Sequence, residues 1–119
     1  MRGETTIKKD ITRLLTNRNI PLRHIVASTF ENPLRYDEKD REIYNLYPGH
    51  TDEEFNKWLS KMDQIEFTNG MAADFHFTLW LKDTKIWITR EEDHEGYYGW
   101  WRIHERPPLP KKMSHETYS

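Results

Sequence analysis

From Asp74 to His104 the chain reads DFHFTLWLKDTKIWITREEDHEGYYGWWRIH, and its alternation constrains the fold more than any other feature. Phe75, Phe77, Leu79 and Leu81 alternate with His76, Thr78 and Trp80, a period of two that marks a strand with two unlike faces. After Lys82-Asp83-Thr84-Lys85, Ile86 and Ile88 alternate with Trp87 and Thr89. With Asp83-Thr84 as the turn, Leu81 faces Ile86, Leu79 faces Ile88 and Trp80 faces Trp87. A slip of one residue would destroy every match, so the pattern argues for this register. Thr84 stands where a type I′ turn prefers Gly, which leaves room for a longer loop. A third strand follows Glu91–Gly96, where Tyr97, Gly99, Trp101 and Ile103 alternate with Tyr98, Trp100, Arg102 and His104. Pairing Ile88 with Gly99 and Trp87 with Trp100 continues both faces. One face is then apolar and forms the core. The other carries His76, Thr78, Trp80, Trp87, Tyr98, Trp100, Arg102 and His104.

Upstream, Thr51-Asp52-Glu53-Glu54 is a capping box that opens a helix over 51–62. Phe55, Trp58, Leu59 and Met62 form its apolar stripe, which suits the core face of the sheet; Gly99 would allow it to approach closely. Gln64–Thr68 reads as a first strand with Ile65 and Phe67 inward, ended by the Asn69-Gly70 turn. Residues 5–18 form an amphipathic helix on Ile7, Ile11, Leu14 and Leu15, with Thr5 as a start and Asn17 or Asn19 as an end. Residues 22–30 are ambiguous. Leu22, Ile25, Val26 and Phe30 fit a helical face after Pro21, while the β-branched Ile25, Val26 and Thr29 suit a strand; the reading leans to helix. Residues 31–50 are a connection with Asn32-Pro33 and Pro48-Gly49 turns and local order. Pro107, Pro108 and Pro110 end the sheet, and 107–119 is a tail.

The expected fold is therefore α+β: a four-stranded antiparallel β-meander over about 64–104, packed by the 51–62 helix and preceded by a helical segment over 5–30. A chain of 119 residues is most simply one domain: a basic segment 1–30, the connection 31–50, helix plus meander over 51–106, and the tail. A net charge of −2 argues against a generic polyanion binder. Its distribution is uneven: residues 1–30 hold six Lys/Arg against two Asp/Glu, and residues 31–66 hold five against ten. Without Cys there is no disulfide, thiolate metal site or thiol nucleophile. No apolar run has the length of a signal peptide or a membrane span, so the expectation is a cytoplasmic chain with no membrane partner.

The aromatic second face has two readings. Trp80, Trp87, Tyr98, Trp100 and Arg102 would make a platform for a protein partner or for stacked bases. Alternatively the N-terminal helices cover it, giving helices on both sides of the sheet. The basic residues Lys8, Lys9, Arg13, Arg18 and Arg23 are candidate nucleic-acid contacts. If 22–30 is helical, the pair of helices has the outline of a helix-turn-helix, although a hairpin capping the sheet is the commoner arrangement. Asp93-His94-Glu95 offers metal-ligand types, but neighbours in a short loop rarely converge on one ion, so it reads as a solvated hairpin loop. His76 and His104 share a face, yet no catalytic constellation surrounds them; no catalytic residue, metal or cofactor is implied.

The run from Trp80 to Trp101, followed by Pro107–Pro110, resembles a motif of small accessory proteins of tailed bacteriophages. There a W-hydrophobic-K/S-D-G-x-W-hydrophobic-x-R segment precedes a Y-D-G-like turn, W-W and a proline-containing end. Trp80, Leu81, Asp83, Trp87, Arg90, Gly96, Trp100 and Trp101 match. Thr84 departs from the usual Gly, and Asp93-His94-Glu95 replaces the turn. The resemblance covers roughly the last half of the chain and implies an origin rather than an activity. It leads to the expectation of a non-enzymatic phage-type accessory protein that binds a host macromolecule, in a defence or host-takeover role, in the host cytoplasm. The alternatives are a nucleic-acid binder, through the basic helices or the aromatic face, and a binder or hydrolase of a small nucleotide signal using Arg90, Arg102 and His104.

Overall fold

The computed structural model describes residues 4–32, 42–73, 75–82 and 85–105. The elements in chain order are β1 (Thr5–Thr6), α1 (Ile7–Asn17), a 3-10 turn (Leu22–His24), β2 (Ile25–Asn32), β3 (Glu42–Ile43), α2 (Asp52–Met62), β4 (Glu66–Phe67), β5 (His76–Leu81), β6 (Ile86–Glu92) and β7 (Gly99–Glu105). The fold is α+β. Among the described residues the main sheet has five strands in the order β3-β2-β5-β6-β7, every pair antiparallel.

Both helices obey local signals. Thr6, not Thr5, caps α1 by accepting from the Lys9 amide. Its end is a Schellman arrangement: the Ile20 amide donates to Leu15 O, the Asn19 amide to Thr16 O, and Asn19 takes φ 59°. The α2 capping box is complete, with the Thr51 hydroxyl accepting from the Glu54 amide and the Glu54 carboxylate accepting from the Thr51 amide. Those hydrogen bonds, the backbone one foremost, hold the Glu54 carboxyl below its ordinary value.

The helices lie on one side of the sheet. Ile7, Ile11 and Leu15 of α1 and Trp58 and Met62 of α2 join Phe77, Leu79, Leu81 and Ile88 in one buried cluster. The N-terminal helix therefore does not cover the second face. The Trp101 indole Nε1–H donates to the buried Asp10 carboxylate of α1 at 2.8 Å and ties that helix to β7. Arg18 at the end of α1 pairs with Glu105 at 3.2 Å.

Four expectations are corrected. Residues 25–32 form strand β2, not a helix, and only Leu22–His24 has a helical turn. Leu22, Ile25, Val26 and Phe30 suit a helical face in isolation, but β5 offers a free edge. On β2, Ser28 and Phe30 turn inward while Thr29 stays exposed. This removes the helix-turn-helix outline.

The segment 64–68 is not a strand of the main sheet. Only Glu66–Phe67 pair, and with Thr5–Thr6 in a separate two-stranded sheet. The chain leaving α2 pairs beside the start of α1, and the Phe67 ring packs edge-on against Phe75 and Trp101. β2 takes the place beside β5, which makes the sheet five-stranded instead of a four-stranded meander.

The β6–β7 register is also shifted. Ile88 faces Ile103 and Trp87 faces His104, while Glu92 faces Gly99. The slip is an even number of residues, so both faces keep their composition. The acidic residues 91 and 92 are strand, and the loop is only Asp93–Tyr98. Finally, Gly99 makes room for the 70–71 backbone and not for α2. A Cβ there would stand 2.7 Å from the Met71 carbonyl oxygen and 2.9 Å from an Arg90 nitrogen. The predicted Leu79–Ile88 and Trp80–Trp87 pairs are present. The Asp83-Thr84 turn and the 107–119 tail lie outside the described residues.

Candidate functional site

The second face of the sheet is built in rows. Ala27, Trp80, Trp87 and His104 occupy one row, and Thr29, Thr78, Thr89 and Arg102 the next. Beyond these, Glu31 faces His76 and Glu91 faces Trp100. Their outward direction follows from the pleat, because their strand neighbours Ser28, Phe30, Phe77, Leu79 and Ile88 are buried.

Trp80 is 37% exposed and Trp100 43% exposed. Trp87 lies between these extremes of the face and is half-buried, stacked on the His104 ring at 4.7 Å and 7°. Arg102 is exposed and pairs with Glu91 at 3.5 Å. Tyr98 is 64% exposed but sits just before β7, in a bridge with Met71. Of the five predicted partner residues, the structure thus sets Trp80, Trp87, Trp100 and Arg102 on one strand-ordered face and places Tyr98 at its rim.

A hydrogen-bonded chain runs across this face. Thr89 Oγ1 donates to Glu91 Oε2 at 3.1 Å and is 2.8 Å from His104 Nε2. A carboxylate only accepts, and the hydroxyl has one proton, so His104 Nε2–H donates to Thr89. Glu91 Oε2 also lies 3.6 Å from the same Nε2. In a hydrolytic triad the hydroxyl and the carboxylate engage opposite ring nitrogens, whereas here both converge on one. The arrangement fixes the imidazole against Trp87 and does not activate the hydroxyl. Thr89 and Glu91 are the residues the sequence reading missed; once the β6–β7 register is known, they fall on this face beside Arg102 and Trp100.

Arg90 is not part of this face. It points to the core side, where its Nη2 donates to Met71 O at 2.8 Å and its guanidinium lies over the Phe67 and Trp101 rings at 4.8 and 5.1 Å. Burial pulls its ordinary high pKa down, and the carboxylates of Asp10 and Glu92 oppose that. The grouping of Arg90 with Arg102 and His104 around one nucleotide is therefore corrected: strand parity puts them on opposite faces.

The loop at Asp93 is closed by its own backbone. The Asp93 carboxylate accepts from the amides of Tyr97 at 2.9 Å and Tyr98 at 3.0 Å, and its carbonyl accepts from Gly96. These contacts, Tyr98's first, lower its pKa. The carboxylate is occupied as a turn-former, and no three metal-ligating side chains converge among the described residues.

The five basic candidates belong to a different surface. Lys9, Arg13, Arg18 and Arg23 are exposed and Lys8 half-buried, on or beyond α1, whose apolar side is against the core. Arg13 pairs with Asp10 at 3.4 Å and Arg18 with Glu105. No helix of the described residues is long and apolar enough to cross a membrane. No protein-family model, curated protein or solved structure matches this chain.

Proposed function

We propose that this protein is a non-enzymatic binding protein that docks a protein partner on its aromatic sheet face. The observation that carries the reading is that both helices pack on the other side, leaving Trp80 and Trp100 exposed around the Trp87–His104 stack. Exposed Trp and Arg on a rigid sheet are the residue types that anchor interfaces at little entropic cost. The resemblance to phage accessory proteins supports a host macromolecule as the partner, met in the host cytoplasm, with modulation or inhibition following from occupation of its surface. Nucleic acid is served less well by this face. Arg102 is paired with Glu91, Glu31 shares the face, and the basic helix turns elsewhere.

The test is affinity capture from bacterial lysate with nuclease, comparing the wild-type chain with Trp80→Ala/Trp100→Ala and with Lys8→Ala/Lys9→Ala. One stoichiometric protein that survives nuclease and is lost only with the Trp variant supports the proposal. Trp87 is left intact because its removal would also unseat His104. Circular dichroism establishes that the Trp variant is folded. Capture unaffected by the Trp variant refutes the assignment of this face, and capture abolished by nuclease moves the function to nucleic acid.

A further inference from the structure

A second surface has the features of a small-molecule site and shares no residue with the aromatic face. The segment 43–50 and α2 enclose a groove of about 570 Å³. That volume is within the range of small-ligand pockets, which run from roughly 300 to 1,000 Å³. Its lining includes Tyr44, Tyr47, His50 and Trp58. His50 is fixed from both sides: its Nδ1 is 2.8 Å from Tyr47 O, and its ring stacks on Phe55 at 5.7 Å. The His50 ring is thus already held, as a pre-formed site requires.

Among the described residues the groove is lined by two lysines and one glutamate. Lys57 and Lys61, one helical turn apart on α2, line it. Lys61 lies over the Tyr44 ring, 4.9 Å from its centre. The Glu54 carboxylate in the lining is committed to the Thr51 amide at 2.8 Å. Trp58 also lines the groove. It is 6% exposed, and its Nε1–H is buried without a hydrogen-bond partner among the described residues. Buried donors are rarely left unmet, and such exceptions call for an explanation.

We propose that this groove binds a mononucleotide, with the base among Tyr44, Tyr47 and His50 and the phosphate on Lys57 and Lys61. Every base offers a π-face to an aromatic wall, and two ammonium groups one turn apart suit a dianionic phosphate. The proposal does not rest on the docking face. It moves the nucleotide reading away from Arg90, Arg102 and His104, which do not converge.

The experiment is a ¹⁵N–¹H titration of the full chain with the four ribonucleoside monophosphates, and separately with adenosine and inorganic phosphate. Substitution Trp58→Phe assigns the Trp58 indole resonance. The expected result is saturable movement of that resonance and of the 44–50 amides with at least one nucleotide. Adenosine and phosphate alone bind more weakly. Lys57→Gln/Lys61→Gln, which leaves the rest of the spectrum in place, weakens binding about tenfold, as the loss of two surface charges predicts. Binding by Trp80→Ala/Trp100→Ala is unchanged, so the docking reading and this one fail separately. No movement at millimolar nucleotide overturns the proposal. So does an equal response to phosphate alone, movement centred on Lys8 and Lys9, or a double lysine variant that binds as the wild type.

Discussion

Replacing Asp10 with Ala should unseat α1 from the sheet. Asp10 is 3% exposed and accepts from Trp101 Nε1 at 2.8 Å and from Thr5 Oγ1 at 3.1 Å, with Arg13 at 3.4 Å. A hydrogen bond to a charged group contributes about 1.5–3 kcal/mol, and a buried donor left unmet costs about 1–3 kcal/mol. These overlap for Trp101, because the stranded indole N–H is part of the lost bond. Arg13 is half-exposed and adds little. The expected destabilisation is about 3–4 kcal/mol, a large share of the roughly 5–15 kcal/mol that holds a domain together. With a urea m-value of about 1–2 kcal/mol per M, the midpoint should fall by roughly 2 M. Asp10→Asn retains an oxygen that can accept from the indole and should lose only about 1 kcal/mol. The discriminating assay is a double-mutant cycle with Trp101→Phe, which removes the donor and keeps most of the ring that packs on Phe67, Phe75 and Phe77. The coupling should be about 1.5–2.5 kcal/mol. A coupling under about 0.5 kcal/mol would mean the two residues act independently, and the account of how α1 is anchored would be wrong.

Two further outcomes follow from the geometry. Gly99→Ala places a methyl 2.7 Å from the Met71 carbonyl oxygen, a backbone atom with little freedom, so it should cost about 1–3 kcal/mol in urea unfolding and displace the 70–72 amides. A neutral result would show that this loop is not held against β7. Asp93 has its pKa depressed on folding by the Tyr98, Tyr97 and Gly96 backbone amides, so the linkage has one sign. The loop's order is fully present above the ordinary aspartate range and is lost as pH falls through the lower folded value. Amide exchange at Tyr97 and Tyr98, followed with pH, should show protection fading on that acidic side, and Asp93→Asn should remove the dependence while preserving an acceptor. Protection that is constant with pH would mean the carboxylate does not close the loop.

The comparison of sequence with structure divides along the range of each interaction. The α2 capping box, the amphipathic stripes of both helices and the alternation in β5, β6 and β7 are local patterns, and the structure bears them out. The Trp80–Trp87 register was legible because a slip would have turned apolar residues to water. The β6–β7 register was not, since a shift by an even number preserves both faces and only pairings such as Glu91 with Arg102 distinguish the alternatives.

What Ile25–Asn32 becomes was decided by tertiary contact. Its apolar residues fit either period, and the free edge of β5, distant in the chain, selected the strand. The same holds for the face that α1 covers. The sequence by itself determined that Trp80, Trp87, Trp100 and Arg102 share a side, because the pleat repeats every two residues. Only the tertiary structure decided that neither α1 nor α2 covers this side. α1 and α2 both bury their stripes on the opposite face, where Trp101 and Asp10 meet across 91 positions of chain. Periodicity is carried by neighbours in sequence, whereas the choice of which surfaces meet depends on partners the chain encounters only when it folds.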